Sequence, residues 1–296
     1  MNHPPDSLHK IESTYPIIIN GNSLVSDPFN NKYRYEFPIG SVNFKNSKVS
    51  VSNVSLYYSW FNITQANNNN TFSFIWYGTL TTQFDVIIQD GFYDITALNS
   101  YLQDFCVEND LYLIDANGDF VYYLEFVENA TYYSIQFNSY PIPTALPAGF
   151  TAPAGWSGFP ATASTPQLIV NSTDDFGNII GFDAGTYPSA TQTTNYSKLS
   201  DFTPQVSVVQ SLILACSLLN NRYSVPNTAL YSFSPSQVSF GSLIVSEPTE
   251  HEYIDIEDGT YPNFEVEILD QNFNPIYIRD TNLIIQLMIK NTPRQF

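Results

Sequence analysis

The sequence predicts an all-β fold, and three observations predict it. Aromatic residues make up 16% of the 296 residues. Most are Tyr and Phe, which with Val, Ile and Thr suit a pleated, half-buried surface. Apolar and polar residues alternate with a period of two in segment after segment. Clusters of Gly, Pro, Asn and Asp separate these segments at the spacing of sandwiches and barrels, so that about fifteen strands are predicted.

The individual strands follow from the alternation. The longest apolar stretch, residues 211–219, is short enough for a buried strand, and nowhere do eighteen apolar residues follow one another. The clearest alternating segments are residues 48–57, 120–126, 132–137, 264–269 and 283–289. Turns are predicted between them at residues 67–70, 117–118, 258–259 and 271–275.

One helix is predicted, over residues 94–106. Ile95, Leu98, Leu102 and Phe105 form one apolar stripe at helical spacing. Asp94 is a plausible N-cap, because its carboxylate can accept from the free amides of the first turn. We expect this short helix to cover one side or end of a β-sandwich.

A segment rich in Pro, Gly and Ala, residues 140–156, has no periodicity. It cannot be a central strand, because each Pro lacks the amide that a sheet ladder needs. A loop this long is uncommon inside a compact domain. The segment is therefore either an excursion to an interface or part of an inserted lobe.

The charge of the chain excludes several classes of partner. Ten Lys and Arg stand against 28 Asp and Glu, for a formal net charge of −18, and no basic cluster exists. Direct nucleic-acid binding and attachment to an anionic membrane are therefore not expected. Charged residues are only 13% of the chain, about half the usual share. Such a surface suits permanent burial against neighbours, and it equally suits a secreted adhesin.

The inventory of chemical groups predicts no enzyme. The three histidines are His3, His9 and His251, and no nucleophile, base or zinc-ligand spacing accompanies them. Cys106 and Cys216 lie in apolar surroundings, and the N-terminus lacks the pattern of a signal peptide, so both are expected to be free, buried thiols. We therefore assign no catalytic, cofactor-binding or metal-binding residue.

Three motifs resemble binding sites, and each has a structural interpretation. Asp115 and Asp119 flank Asn117-Gly118, which is a stronger signal for a hairpin turn than for a calcium loop. The acidic stretch at residues 250–258 is interpreted as a strand with a solvated acidic face. Adjacent tyrosines could stack on sugars, but neighbours in a strand face opposite sides, so one of each pair is expected in the core; the pairs are 57–58, 122–123 and 132–133.

Several segments carry fold-type motifs and no catalytic signature. In the C-terminal third they are residues 211–223, 229–235, 240–241, 258–261, 264–271 and 275–290, and in the middle they are residues 90–102 and 176–188 with the Pro-rich stretch before them. Through these segments most of residues 85–290 resembles the penton, or minor capsid, proteins of virophages and Polinton-like viruses.

The resemblance implies a single jelly roll with an inserted β-rich lobe. It further implies a virion protein, five copies of which close each fivefold vertex of an icosahedral double-stranded DNA virus. The neighbours would be a double-jelly-roll major capsid protein and, through the lobe, a host receptor or a spike. On this basis residues 1–14 are expected to form a flexible arm, 15–109 and 201–296 the jelly roll, and 110–200 the lobe.

Two other functions stay open from the sequence. One is a different β-rich virion spike or carbohydrate-binding adhesive protein, which the acidic, aromatic composition also fits. The other is an all-β hydrolase with two close carboxylates, because their separation is a tertiary property that a sequence does not show.

Overall fold

A computed structural model of the protein describes residues 13–235 and 237–291. These residues form twenty strands, two α-helices and a short 3-10 turn at Gly21–Ser23. The helices are α1 (Ile95–Glu108) and α2 (Phe176–Ile180). In chain order the strands are β1 (Ser13–Asn20), β2 (Lys32–Glu36), β3 (Val42–Phe44), β4 (Ser47–Tyr57), β5 (Thr71–Tyr77), β6 (Thr81–Ile87), β7 (Leu113–Ile114), β8 (Phe120–Val121), β9 (Leu124–Asn129), β10 (Ser134–Ser139), β11 (Gln167–Val170), β12 (Gly185–Tyr187), β13 (Tyr196–Leu199), β14 (Leu212–Cys216), β15 (Ala229–Phe233), β16 (Leu243–Ser246), β17 (Ile254–Asp255), β18 (Gly259–Tyr261), β19 (Asn263–Asp270) and β20 (Leu283–Asn291).

The first of two compact units spans Met1–Trp60 and Val209–Phe296, and its described residues form a jelly roll. One sheet has the order β1-β20-β4-β16, with β17 also on β4, and the other has the order β15-β14-β19-β2. The eight main strands are β1, β2, β4, β14, β15, β16, β19 and β20. When they are numbered one to eight in chain order, the first sheet has the order 1-8-3-6 and the second has the order 5-4-7-2. Every connection except the β14–β15 hairpin crosses between the sheets, which is the jelly-roll topology. The single jelly roll predicted above is confirmed.

Each sheet of the jelly roll buries one face. Along β20, Leu283, Ile285, Leu287 and Ile289 are buried while the residues between them are not, and β19 alternates in the same way from residue 263 to residue 268. Strand β1 contacts β2 and β15 contacts β4, so the sheets lie against each other. The buried faces therefore form the core of a sandwich.

A β-bulge at Ser52 keeps the core side chains of β4 in phase. Val49 and Val51 are buried, and so are Val54 and Leu56. Positions 51 and 54 are an odd number of residues apart, so in a regular strand they would face opposite sides of the sheet. In the ladder with β20, Gln286 pairs with Asn53 and Leu287 with Val51, which leaves Ser52 as the extra residue. Since side chains alternate with a period of two, this one extra residue returns both halves of β4 to the same face.

We expect deletion of Ser52 to unfold the jelly roll. Without the extra residue, one pair of core side chains would point to solvent. Burial of such a side chain is worth about 1.5–3 kcal/mol, so the exposure of two of them would use up much of a typical stability. Soluble yield and the urea midpoint measure this. Ser52→Ala, which keeps the chain length, should change stability by less than about 0.5 kcal/mol; equal behaviour of the two variants would contradict the role of the bulge.

The second unit, Phe61–Val208, is a β-rich lobe inserted between β4 and β14. It contains a β12-β11-β5-β6 sheet, a β13-β10-β9 sheet and the β7–β8 hairpin. Its core is aromatic: the rings of Phe72 and Phe176 stack with centroids 4.7 Å apart, and Phe74 and Trp76 are fully buried beside them. An inserted lobe of this kind is the predicted architecture.

Helix α1 begins where the sequence predicted and packs on β9 of this lobe. Asp94 Oδ1 accepts from the amide of Ala97 at 2.7 Å, which confirms the cap. The prediction of one helix was incomplete, because α2 was missed. Five residues are too few for a visible periodicity, and the only signal is Gly181, which ends α2 in the left-handed conformation at φ +77°. Neither helix is apolar over a length that could cross a membrane, within the described residues.

The Pro-rich segment packs back onto the lobe. Ile142 pairs with Ser164, and Thr151 pairs with Ile114. Trp76 Nε1 donates to Ser157 Oγ at 2.9 Å, and the Trp76 and Trp156 rings meet edge to face. Of the two predicted interpretations of this segment, part of an inserted lobe is the one that the structure supports.

The division of the chain differs from the predicted boundaries at 109/110 and 200/201. The units separate after Trp60 and after Val208. The physical reason is the shared core: β5, β6 and α1 bury their apolar side chains with those of β9, β10 and β11. Of the expected arm, residues 1–12 lie outside the described residues, while Ser13 and Thr14 already belong to β1.

Candidate interaction surfaces

Three residues considered as catalytic groups lie in the described part of the chain: His251, Cys106 and Cys216. The surroundings of each are those of a structural side chain. His251 is exposed, and its Nδ1–H donates to the carbonyl of Val51 at 3.1 Å. Cys106 and Cys216 are free and buried, as predicted. Burial raises the pKa of each thiol to about 12, so neither is a nucleophile at neutral pH. His3 and His9 lie outside the described residues.

The segment from Asp115 to Asp119 is the turn of the β7–β8 hairpin. Asp115 Oδ1 accepts from the amides of Asn117 and Asp119 at 2.8 and 2.9 Å. Gly118 supplies the positive φ of +89° that the turn requires. The hydrogen bond from Asp119, followed by the others of the turn, lowers the pKa of the Asp115 carboxyl. This carboxylate is therefore engaged by its own backbone, as the hairpin interpretation predicted.

The acidic stretch at residues 250–258 is less regular than predicted. Only Ile254 and Asp255 are in a strand, β17, which pairs with β4. Among residues 13–235 and 237–291, no three His, Cys, Asp or Glu side chains are grouped closely enough to hold a metal ion. In the jelly roll, Glu250 and Glu252 line an open cleft of about 830 Å³ together with residues such as Ile213 and Tyr231.

Charge is distributed very unevenly between the two units. Phe61–Val208 contains fourteen Asp and Glu residues and one Lys, with neither Arg nor His, for a formal charge of −13. The rest of the chain carries the remaining −5 of the total of −18. The lobe is therefore an almost purely anionic body, and its single cation is Lys198.

Lys198 has a structural role in the lobe. Its Nζ is paired with the Asp201 carboxylate and lies over the rings of Tyr187 and Phe182, at 5.0 and 5.5 Å from their centroids. The hydroxyl of Tyr187 donates to Asp201 Oδ2 at 3.1 Å, and the amide of Asp183 donates to the same oxygen. Burial opposes ionisation of Asp201, but these hydrogen bonds and the Lys198 charge together lower its pKa below the usual value.

We expect Lys198→Met to destabilise the lobe by about 1 kcal/mol at pH 7, from a lost ion pair and lost cation–π contacts. The Asp201 pKa is depressed in the folded state. Its contribution is therefore present above the unfolded pKa of about 3.9 and is lost as pH falls through the folded pKa. The gap between variant and wild type should narrow below about pH 4.

Thermal unfolding as a function of pH measures this gap. Lys45→Met is the matched control, because Lys45 is exposed and has no carboxylate within 4.0 Å among the described residues. It removes the same charge from an acidic protein. Equal destabilisation by the two substitutions would show that net charge, and not the Lys198 contacts, accounts for the effect.

The two outer sheet faces of the jelly roll contrast sharply. The outer face of β2 and β19 carries ion pairs: Arg34 Nε donates to Glu265 Oε1 at 3.0 Å, and Lys32 Nζ lies 4.0 Å from Glu267 Oε1. The outer face of the other sheet is charged at its β17 end, where Lys290 lies opposite Lys48 and Lys48 Nζ lies 3.2 Å from Asp255 Oδ1. The rest of this outer face, which we call the neutral face, has eleven uncharged residues: Pro16, Ile18, Asn20, Asn53, Ser55, Tyr57, Leu243, Val245, Ile284, Gln286 and Met288.

Apolar side chains of the neutral face are open to solvent. Ile18 is 57% exposed, Val245 54% and Ile284 50%. Asn20, Ile284, Ser55 and Val245 lie directly opposite one another in one row across the four strands. Carboxylates lie only at the rim of the neutral face, at Asp255 and at Glu247, whose Oε1 accepts from Asn53 Nδ2 at 3.2 Å. The neutral face thus has the composition of an interface core.

The tyrosine pairs behave differently from one another. One residue of each of the first two pairs is buried, as predicted: Tyr58, which directly follows β4, and Tyr123, which lies between β8 and β9. The prediction is wrong for Tyr132 and Tyr133, which are 67% and 75% exposed. Both lie in the turn before β10, and Tyr133 has a φ of +50°, so strand alternation does not apply to them. Two aromatic rings therefore protrude from one hairpin of the lobe.

The strand order defines this chain as a jelly-roll protein whose third and fourth main strands are joined by a second β-rich unit. No protein-family model matches its sequence, and no curated protein does. Its structure is similar to the crystal structure of the selenomethionine-labelled mavirus penton protein, at 11% identity over 96% of this chain and 100% of that one, with a TM-score of 0.43. It is also similar to a chain of the Sputnik virophage cryo-EM structure, at 13% identity over 95% of this chain and 98% of that one, with a TM-score of 0.38.

Proposed function

We propose that this protein is a capsid vertex subunit of an icosahedral double-stranded DNA virus, five copies of which close each fivefold vertex. The observation that carries the proposal is the strand order β1-β20-β4-β16 against β15-β14-β19-β2, a single jelly roll within one chain. Jelly rolls are the building units of many viral capsids, and also of lectins and cupins. The resemblance of residues 85–290 to virophage pentons favours the first of these.

The interior of the jelly roll supports a structural role. It is filled by buried aliphatic and aromatic side chains such as Ile19, Leu56, Phe264, Ile268 and Ile285. A ligand-binding barrel keeps polar groups and space inside, whereas here the outer faces and loops are the parts free to act. We propose that these surfaces contact sibling subunits and a double-jelly-roll major capsid protein, and that the protein resides in the virion.

The vertex assignment is tested by labelling the protein in purified particles. A gold-labelled antibody or a fused tag should localise at the fivefold axes in cryo-EM reconstructions, with five copies per vertex. Label along the threefold or twofold positions, or on fibres outside the shell, would contradict the proposal. An antibody to the major capsid protein serves as the control for access to the particle surface.

Association in solution should depend on salt and pH. Free subunits carry −18 each, so repulsion opposes pentamers at low salt. Screening at high salt, or protonation of carboxylates towards pH 4, should raise the pentamer population. Light scattering should then find five times the subunit mass of 33.4 kDa. A stable dimer or trimer under every condition would count against the vertex and favour a spike.

The exposed tyrosines favour a second candidate function, the contact of the lobe with a host receptor or glycan. Exposed aromatic rings stack on sugars, and Tyr132 and Tyr133 present two at one hairpin tip. We expect Tyr132→Ala with Tyr133→Ala to lower binding to host cells or to a glycan array at least tenfold. Phe120→Ala, which removes another exposed ring of the lobe, is the control. Unchanged binding in the double variant would rule out this use of the tip.

A further inference from the structure

We infer that the neutral face of the β1-β20-β4-β16 sheet is the surface by which one copy of this chain contacts the next. The inference rests on the proposed pentamer and names the surface that makes it. It starts from the contrast between two faces of one sandwich. The β2–β19 face carries Lys32, Arg34, Glu36, Glu265 and Glu267, while the neutral face carries eleven uncharged residues.

The electrostatics select a second copy as the occupant. A cationic partner would gain by meeting carboxylates, which the lobe offers in number. Another copy brings the same charge of −18, and like charges brought into contact cost several kcal/mol. A contact between copies brings no two carboxylates together where one of its two sides carries none, and in a fivefold ring that side meets a different patch of the next copy. On the outer sheet faces of the jelly roll, the neutral face is the part that meets this condition.

The size of the neutral face also suits a contact between subunits. Four strands about 4.8 Å apart and rows spanning about 24 Å give a footprint of about 450 Å². A standard interface buries about 800 Å² per partner, so this face supplies more than half and the adjoining loops supply the rest. The exposed residues Ile18, Ile284 and Val245 lie on β1, β20 and β16. The apolar contact is therefore spread over three strands and is not confined to one side chain.

The test is the reactivity of a cysteine placed at the centre of the face. Both native thiols are buried, so Ile284→Cys provides the reactive thiol of the folded protein. In the full chain we expect alkylation of Cys at 284 to slow at least tenfold when high salt converts subunits into oligomers. Ile39→Cys is the matched control, because Ile39 is an exposed isoleucine on the loop after β2. Its rate should change less than twofold.

A second variant measures the same contact by mass. Ile284→Asp places a carboxylate in the face and should lower the oligomer population at least tenfold, whereas Ile39→Asp should not; unchanged melting temperatures show that both fold. The inference is overturned if oligomers form and position 284 stays as reactive as in subunits, if positions 284 and 39 are protected alike, or if 284 is already protected in isolated subunits. In those three cases the pentamer itself can stand. Absence of any oligomer at every salt concentration and pH would instead refute the proposed pentamer.

Discussion

The fold depends on one long-range ladder, the pairing of β4 with β20. It runs from Ser47 opposite Asn291 to Leu56 opposite Leu283 and forms the centre of its sheet. The jelly roll is built from two segments of the chain, and the ladder joins β4, at the end of the first segment, to β20, at the end of the second. Every residue between them is thus held in one closed loop. The cost of closing a loop grows only slowly with its length, so the ladder tolerates a long insertion.

The insertion is tolerated for a second reason, which is that the lobe has its own core. Phe72, Phe74, Trp76 and Phe176 are buried within Phe61–Val208, together with the apolar stripe of α1. A segment that buries its own apolar surface does not draw on the core of its host. The jelly roll in turn keeps a complete set of eight main strands from the two flanking segments. Each unit therefore buries its apolar side chains in a core of its own.

Features that depend on local pattern were predictable from the sequence. The alternation of residues 264–269 and 283–289 gave β19 and β20, and Asp94 with its apolar stripe gave α1. Failures arose where tertiary context decides. Residues 120–126 are divided into β8 and β9, and Tyr132–Tyr133 is a turn although its alternation continues into β10. The boundary after Trp60 was missed because strand partners, which define a unit, are not encoded in local spacing.

The neutral face illustrates the same limit at the level of function. Ile18, Val245 and Ile284 each occupy an ordinary solvent-facing position of an alternating strand, far apart in the sequence. Only the register across β1, β20, β4 and β16 brings them into one surface. From the sequence, low overall charge suggested burial against neighbours, but it gave no position for that contact. The ladder defines the position that we propose for it.

The net charge of the subunits opposes their association, whereas the neutral face favours it. An exposed apolar sheet face beside open strand edges invites uncontrolled association. Repulsion between subunits of charge −18 acts over about a Debye length, roughly 10 Å at 0.1 M salt, whereas apolar contact gains act only at touching distance. In the assembly that we propose, this repulsion keeps dilute subunits apart before the neutral face of one can meet its neighbour. Since the lobe carries −13 of this charge and contributes no strand to the jelly-roll sheets, most of the repulsion and the proposed contact reside in different units. Either can then be changed by substitution without disturbing the other.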